Sequence, residues 1–341
     1  MILTVTLNTA LDITYRVPRL RPHTGHRVTE VTERPGGKGI NVARVLAALG
    51  HHTTVTGFAG GVTGTVVREL LAADEPARAP GRITDALVPI AGSTRRTLGV
   101  VDTASGDTTQ LNEAGPAVTG AEWAAFMDAY ARLLREASAV ALCGSLPPGV
   151  PVGTYAQLIR EARTVGVPTL LDTSGEPLRR GVAARPDIVK PNAEELAGLT
   201  GSTEPLRAAR DARRRGARAV AASLGADGLL AITAQGAWRA APPERLKGNP
   251  TGAGDAAVAG LLSGLVDEVP WPERIARAVA LSAAARPRRA TSRAPKPRAA
   301  RTSAASTTPA PRRPGTWTST APSPTGCTCT TACPARTRAC R

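Results

Sequence analysis

No apolar stretch in this 341-residue chain reaches the roughly 20 residues needed to span a bilayer. The opening MILTVTLN runs directly into a strand pattern, without the basic region and cleavage site of a signal peptide. Before residue 286 cysteine occurs once, as Cys143, which fits a reducing compartment. A cytoplasmic protein is expected. Cys327, Cys329, Cys333 and Cys340 follow a C-x-C-x3-C-x6-C spacing that matches no usual zinc site, so no metal is expected there. There is no internal repeat, and the absence of a Walker A pattern excludes a P-loop enzyme. Acidic residues are missing after Ala285, as are Leu, Ile, Val, Met, Phe and Tyr.

That last absence divides the chain. The overall charge is +16, which invites a nucleic-acid reading, but residues 286–341 hold +12 of it and residues 1–285 only +4. The tail is Arg, Pro, Ala, Thr and Ser, and cannot bury enough apolar surface to offset chain entropy. It is expected to be disordered. Its abrupt onset points to a shift of reading frame, with a natural basic tail as the alternative. Non-specific nucleic-acid binding through the tail is a separate functional class. It is disfavoured because Trp317 is the tail's one aromatic residue and no nucleic-acid-binding fold is evident.

Residues 1–285 alternate strand and helix signals. ILTVTL, TTVTGFAG, AVALCGS, VPTLLD, DIVKPN, RAVAASLG and GLLAIT read as strands. NVARVLAALG, TGTVVRELLAA, YAQLIREARTVG, AEELAGL and LRAARDARRRGA read as helices. Thr119 and Glu122 form a capping box ahead of Trp123, Phe126, Tyr130 and Leu134 at helical spacing. This rhythm predicts an α/β fold with a mostly parallel sheet and helices on both faces. Two Thr- and Val-rich segments, within about residues 12–36 and 88–112, interrupt it and predict antiparallel strands of a small separate sheet.

Ligands in open parallel sheets sit at the carboxyl ends of strands. GGKGIN, GSLPPG, DTSG, KPNAEE, SLGADG and NPTGAGD fall there. GGKGIN suits an anion ahead of a helix, or equally a tight turn with a solvated lysine. In NPTGAGD a lone acid, Asp255, follows Gly252, Ala253 and Gly254 at a helix start. A helix start attracts anions, so an acid aimed there needs a reason such as removing a proton. Together and in this order the motifs resemble the PfkB/ribokinase family of sugar kinases, over residues 1 to about 285. GAGD and GGKGINVARVLAALG correspond to its two signatures.

The resemblance implies a ribokinase-like fold with a β-sheet lid, and ATP and Mg²⁺ as cofactors. It casts Asp255 as catalytic base and the N–H groups of Gly252, Ala253 and Gly254 as the anion hole. Asp12, Gly36, Gly37, Lys38, Gly39, Asn41 and Ser145 would bind the sugar. Lys38 and Arg95 would pair the substrate's existing phosphate, with Arg96 competing for Arg95's place. Lys190, Asn192 and Glu195 would handle ATP phosphates, with Glu195 serving Mg²⁺ indirectly. Ser223, Gly225 and Gly228 would lie at the nucleotide. Thr9 stands where the family has Pro, a local departure that should leave Asp12 untouched.

TLNTALD, GGKGINVARVL and TRR are most similar to the phosphosugar branch, which favours fructose 1-phosphate phosphorylated at its 6-hydroxyl. Fructose 6-phosphate and tagatose 6-phosphate are the alternatives. An inactive sugar-phosphate-binding relic is a further one. A homodimer through the lid is expected, using apolar positions such as Val28, Val31, Leu98, Val100 and Leu111. No membrane partner is expected. His23, His26, His51 and His52 read as solvated loop residues, Arg213–Arg215 as a solvated helix face and Cys143 as a buried strand residue.

Overall fold

The computed structural model describes residues 1–73, 80–242, 252–285 and 336–340. The amino-terminal elements are β1 (Ile2–Thr6), β2 (Ala10–Val17), β3 (Glu30–Gly36), α1 (Lys38–Ala48), β4 (Thr53–Gly60), α2 (Gly61–Ala73), β5 (Ile83–Ile90), β6 (Arg95–Asp102) and β7 (Thr108–Asn112). The middle holds α3 (Gly120–Leu134), β8 (Ala139–Cys143), α4 (Thr154–Thr164), β9 (Thr169–Asp172), α5 (Gly175–Ala183), β10 (Ile188–Val189), α6 (Ala193–Thr200) and α7 (Pro205–Arg214). Then come β11 (Ala219–Ser223), β12 (Leu229–Ile232), β13 (Ala237–Ala241), α8 (Ala253–Val266), α9 (Trp271–Ala284) and β14 (Arg336–Cys340).

The main sheet runs β14-β13-β12-β11-β10-β9-β8-β1-β4-β5. From β11 to β5 all neighbours are parallel, while β12, β13 and β14 continue antiparallel. Its central strands β1, β8 and β9 are buried throughout because both faces are covered. In β1, Ile2 packs with α1, α8 and α9, while Leu3 and Val5 pack with α3 to α7 on the other side. Helix α3 starts at the capping box read from the sequence, with Glu122 N donating to Thr119 Oγ1 and Thr119 N to Glu122 Oε2. Among the described residues no helix is long and apolar enough to cross a membrane.

A four-stranded sheet, β3-β2-β6-β7, forms the small separate layer. Two details differ from the sequence expectation. Val88–Ile90 belong to β5 at the edge of the main sheet, not to the small one, because β5 pairs in parallel with β4 along its whole length. The small sheet is also mixed: β2 pairs parallel with β6, since the chain makes β3, α1, β4, α2 and β5 before returning. Helix α5 and strand β13 went unread; Pro177 and two glycines mask the first, and the second has five residues.

Of the segment expected to lack structure, Arg336–Cys340 depart from that expectation by pairing with β13. Strand pairing is made by main-chain groups, so an open sheet edge accepts a segment without aliphatic side chains. The rest of the tail, and Asn249–Thr251 of the GAGD motif's approach, lie outside the described residues.

Candidate active site

The parallel strands bring their carboxyl ends into line. Thr6 is in register with Cys143, and Cys143 with Asp172. Asp172 closes β9, is 1% exposed, and bridges two lysines: Lys38 Nζ donates to Oδ2 at 3.2 Å, and Lys190 Nζ forms an ion pair with Oδ1 at 3.1 Å. Burial pushes the Asp172 carboxyl up, but Lys190 and Lys38 outweigh it and hold it below the usual range. Burial likewise works against the charge of Lys38, yet Asp172 and Asp255 raise its pKa. Lys38 is therefore held charged beside the buried carboxylate.

Asp255 lies in the first turn of α8, whose N-cap Gly252 has φ 83°. It is 8% exposed, and Asn41 Nδ2 donates to its Oδ2 at 2.9 Å. Its pKa is pushed up to about 6, first by burial and then by the charge of Asp172; the Asn41 hydrogen bond, Lys38 and Lys190 pull the other way. The first backbone N–H groups of α8 have no partner within the helix. A Cβ built on Gly254 would come no nearer than 4.0 Å to any neighbour, that neighbour being Lys190 Nζ. A helix start, two lysines and a carboxylate thus surround open space.

A second cluster forms on the small sheet. Asp12 on β2 is in register with Thr97 on β6, and Ala10 with Arg95, so Asp12, Thr97 and Arg95 share one face. Burial raises the Asp12 pKa, while the Thr97 hydrogen bond, Arg95 and Arg44 oppose it. Arg95 Nε donates to Asn8 O at 3.1 Å and its Nη1 to Glu113 O at 3.1 Å. Arg96 points from the opposite face and is engaged with Glu113 Oε1 through Nε (3.1 Å) and Nη2 (2.8 Å). Asn8 Nδ2 donates to Ser145 Oγ at 3.1 Å, tying this cluster to the loop after β8. The GGKG turn is shaped by contact: a Cβ on Gly36 would lie 2.2 Å from Asp12 Cγ. Gly37 has φ 107° and leaves no room against Thr6. Gly39 packs on the end of β1. Thr9 donates its hydroxyl to Thr6 O at 3.1 Å.

Asn192 and Glu195 form a reciprocal capping box at the start of α6: Glu195 N donates to Asn192 Oδ1 and Asn192 N to Glu195 Oε2, both at 2.8 Å. Ser223 ends β11 beside Asn192. Gly225 opens a tight turn and Gly228 closes it against Ala240 O, where a side chain has no space. This turn and the Val279–Ala283 stretch of α9 line a shallow cleft. The lysine pair and the α8 start fit a chain of phosphates. Among the described residues no group of three or more His, Cys, Asp or Glu could cage a cation. The carboxylates suit only a magnesium ion that arrives already held by phosphates.

Two residues here escaped the sequence reading. Asp172 was visible as an acid closing an otherwise apolar strand, and Asn8 as the amide before Thr9. His51, read as solvated, instead faces Ser263 Oγ at 3.0 Å and Asp267 Oδ1 at 3.8 Å, because the turn after α1 packs against α8. Cys143 is fully buried, as expected.

Known proteins resemble this chain in sequence and fold. The model of the pfkB family carbohydrate kinases matches residues 4–298. The chain is 40% identical over 271 residues to a 1-phosphofructokinase of Rhodobacter capsulatus, covering 76% of this chain and 82% of that one. It is 39% identical over 284 residues to a 1-phosphofructokinase of Xanthomonas campestris, covering 81% and 87%. Phosphofructokinase-2 from Escherichia coli, solved with fructose 6-phosphate, superposes with TM-score 0.76 at 32% identity over 84% of this chain and 93% of that one. That enzyme has also been solved in a tetrameric inhibited form.

Proposed function

The chain belongs to the pfkB family of carbohydrate kinases, and from that premise we propose that it phosphorylates fructose 1-phosphate at the 6-hydroxyl, with ATP as donor. The observation that carries the reading is Asp255: a buried carboxylate at a helix start, held by Asn41 and flanked by two lysines. Asp255 accepts the proton of the sugar hydroxyl as that oxygen bonds to the γ-phosphorus and the bond to the ADP oxygen breaks. The N–H groups of Gly252, Ala253 and Gly254 at the start of α8, with Lys38 and Lys190, hold the charge on the moving phosphoryl group. Glu195 would serve, indirectly, a magnesium ion bound with the phosphates, which would supply charge neutralisation there.

The two clusters suggest a division of labour. Asp12, Asn41 and Ser145 orient sugar hydroxyls, and Gly36, Gly37 and Gly39 shape the turn that lets them approach. Arg95, on the face of Asp12, pairs the phosphate the substrate already carries. Lys38 was expected to share that task. Its bond to Asp172 and its charge interaction with Asp255 favour a place at the transferred group instead. Ser223, Gly225 and Gly228 lie at the nucleoside.

The relatives named 1-phosphofructokinase support fructose 1-phosphate over fructose 6-phosphate and tagatose 6-phosphate. ADP release measured with these three sugars and ribose tests it. The expected result is the highest kcat/KM for fructose 1-phosphate; a preference for any other overturns the assignment.

The small sheet also favours self-association. Tyr15, Val31 and Val100 align across it, as do Ile13, Leu98 and Leu111, so one face carries six apolar side chains. Val31 and Leu111 are 56% and 58% exposed. We propose a homodimer through this face.

A further inference from the structure

The end of the main sheet away from the candidate active site carries a feature that the kinase reading does not use. Helices α4, α5 and α7 finish there, before β9, β10 and β11, around a wide-mouthed cavity of about 550 Å³. Its wall holds Arg163, Arg185, Arg213, Arg214 and Arg218. A bland account is that these arginines cap helix carboxyl ends. Arg163 does so, donating to Ala184 O at 3.3 Å, and Arg213 Nε donates to Arg218 O at 3.1 Å.

The charges do not balance on that account. Two carboxylates face the cluster. Asp187 pairs with Arg218 at 3.1 Å, and Asp211 with Arg214 at 3.1 Å and Arg215 at 2.7 Å. Each helix end contributes about half a negative charge. Six guanidiniums against two carboxylates and three helix ends leave roughly two to three positive charges uncompensated. Most of the guanidinium donors are also unused, since each group has five. Arg185 is the clearest case. It follows the C-cap of α5 with φ 66°, a position where Gly is the unstrained residue, and its exposed side chain has no partner among the described residues. Backbone strain that presents an uncommitted cation suggests a role outside folding.

We propose that this cavity binds a small anion bearing two or more phosphoryl groups, at a site separate from those for phosphosugar and nucleotide. Guanidinium forks match phosphate oxygens in pairs. The volume is that of a small-molecule site, and five arginines from three helix ends line the one hollow, which favours a compact polyanion over an extended strand. A single phosphate would leave part of the charge uncompensated.

The test is calorimetric titration of the full chain with inorganic tripolyphosphate at 0.15 M salt, wild type against Arg185→Glu/Arg213→Glu. Both proteins keep the active site and the basic residues 286–341, so those contributions are common. The wild type should bind one more equivalent than the double variant. Identical titrations would overturn the proposal. Because Arg213 also makes a structural bond, Arg185→Glu alone is the second variant. It removes no contact, should leave turnover unchanged, and should weaken the cavity site at least about tenfold; unchanged affinity would count against the site. A single-stranded oligonucleotide is titrated in parallel. If only its binding depends on Arg185, the surface is a nucleic-acid surface and the proposal fails.

Discussion

Asp255 answers two opposed demands. A buried carboxylate is costly to ionise, yet a base must be ionised to work. In an unfolded chain an aspartate loses its proton near 3.8; here it does so at about 6, so the folded state holds the proton more tightly. Stability is therefore gained as pH falls from 6 towards 4, and above 6 the full penalty applies, up to roughly 3 kcal/mol. Asp255→Asn should accordingly lower kcat by about 10²–10⁴-fold while raising the unfolding free energy at pH 8. Turnover near normal would remove Asp255 from the base role. A less stable variant would mean that burial does not dominate its energetics. The pH profile offers a sharper test. The acid limb of kcat/KM should fall near pH 6 in the wild type. Asp172→Asn should move it down and Lys38→Gln up, since those charges push the Asp255 carboxyl in opposite directions. A limb that stays put in both would mean that it does not report the Asp255 carboxyl. Arg95→Ala should raise the KM for phosphosugar about tenfold or more with the KM for ATP unchanged. An unchanged sugar KM would put the substrate phosphate elsewhere.

At the scale of elements, α8 carries the proposed base, which must be held rigidly. It is apolar on every side, and its small residues let α9 approach closely. A Cβ on Gly260 would lie 2.6 Å from Ala278 Cα, which is main chain and cannot swing aside. Gly260→Ala should destabilise the protein by about 1–3 kcal/mol in urea unfolding, although alanine is the better helix former. A stabilised variant would show that the two helices are more loosely packed than described. The start of α6 separates structure from chemistry. Glutamine can replace glutamate in a capping box, so Glu195→Gln should keep the melting temperature within a degree or two. If the charge of Glu195 serves magnesium, the same variant should need several-fold more Mg²⁺ for half-maximal rate. An unchanged requirement would leave Glu195 with the cap alone.

At the scale of the whole molecule, the small sheet has two unlike faces: Asp12, Arg95 and Thr97 on one, and six apolar side chains on the other. A thin sheet cannot leave both faces wet at no cost, so self-association is the economical solution. A dimeric mass at micromolar concentration is expected in sedimentation, and Leu111→Lys with Val31→Lys should yield a monomer. A monomeric wild type would sink the idea. The E. coli relative's tetrameric form makes the mass measurement informative above the dimer as well.

What the sequence determined by itself is the part governed by local rules. Apolar runs of strand length, helical periodicity and the Thr119–Glu122 box placed most of the αβ units, because those signals act over a few residues. The helix start at Gly252, Ala253, Gly254 and Asp255 was legible because small residues ahead of an acid and an apolar run mark one locally. The tertiary structure decided what depends on residues distant in the chain. Asp172 is one acid among many until β8, β9 and β10 align and set it between Lys38 and Lys190. Arg95 and Arg96 are indistinguishable in sequence, and strand alternation against β2 assigns them to opposite faces. His51 gained its neighbours only when the turn after α1 met α8. Charge pairing, burial and register are properties of the space between elements, and a linear pattern does not contain them.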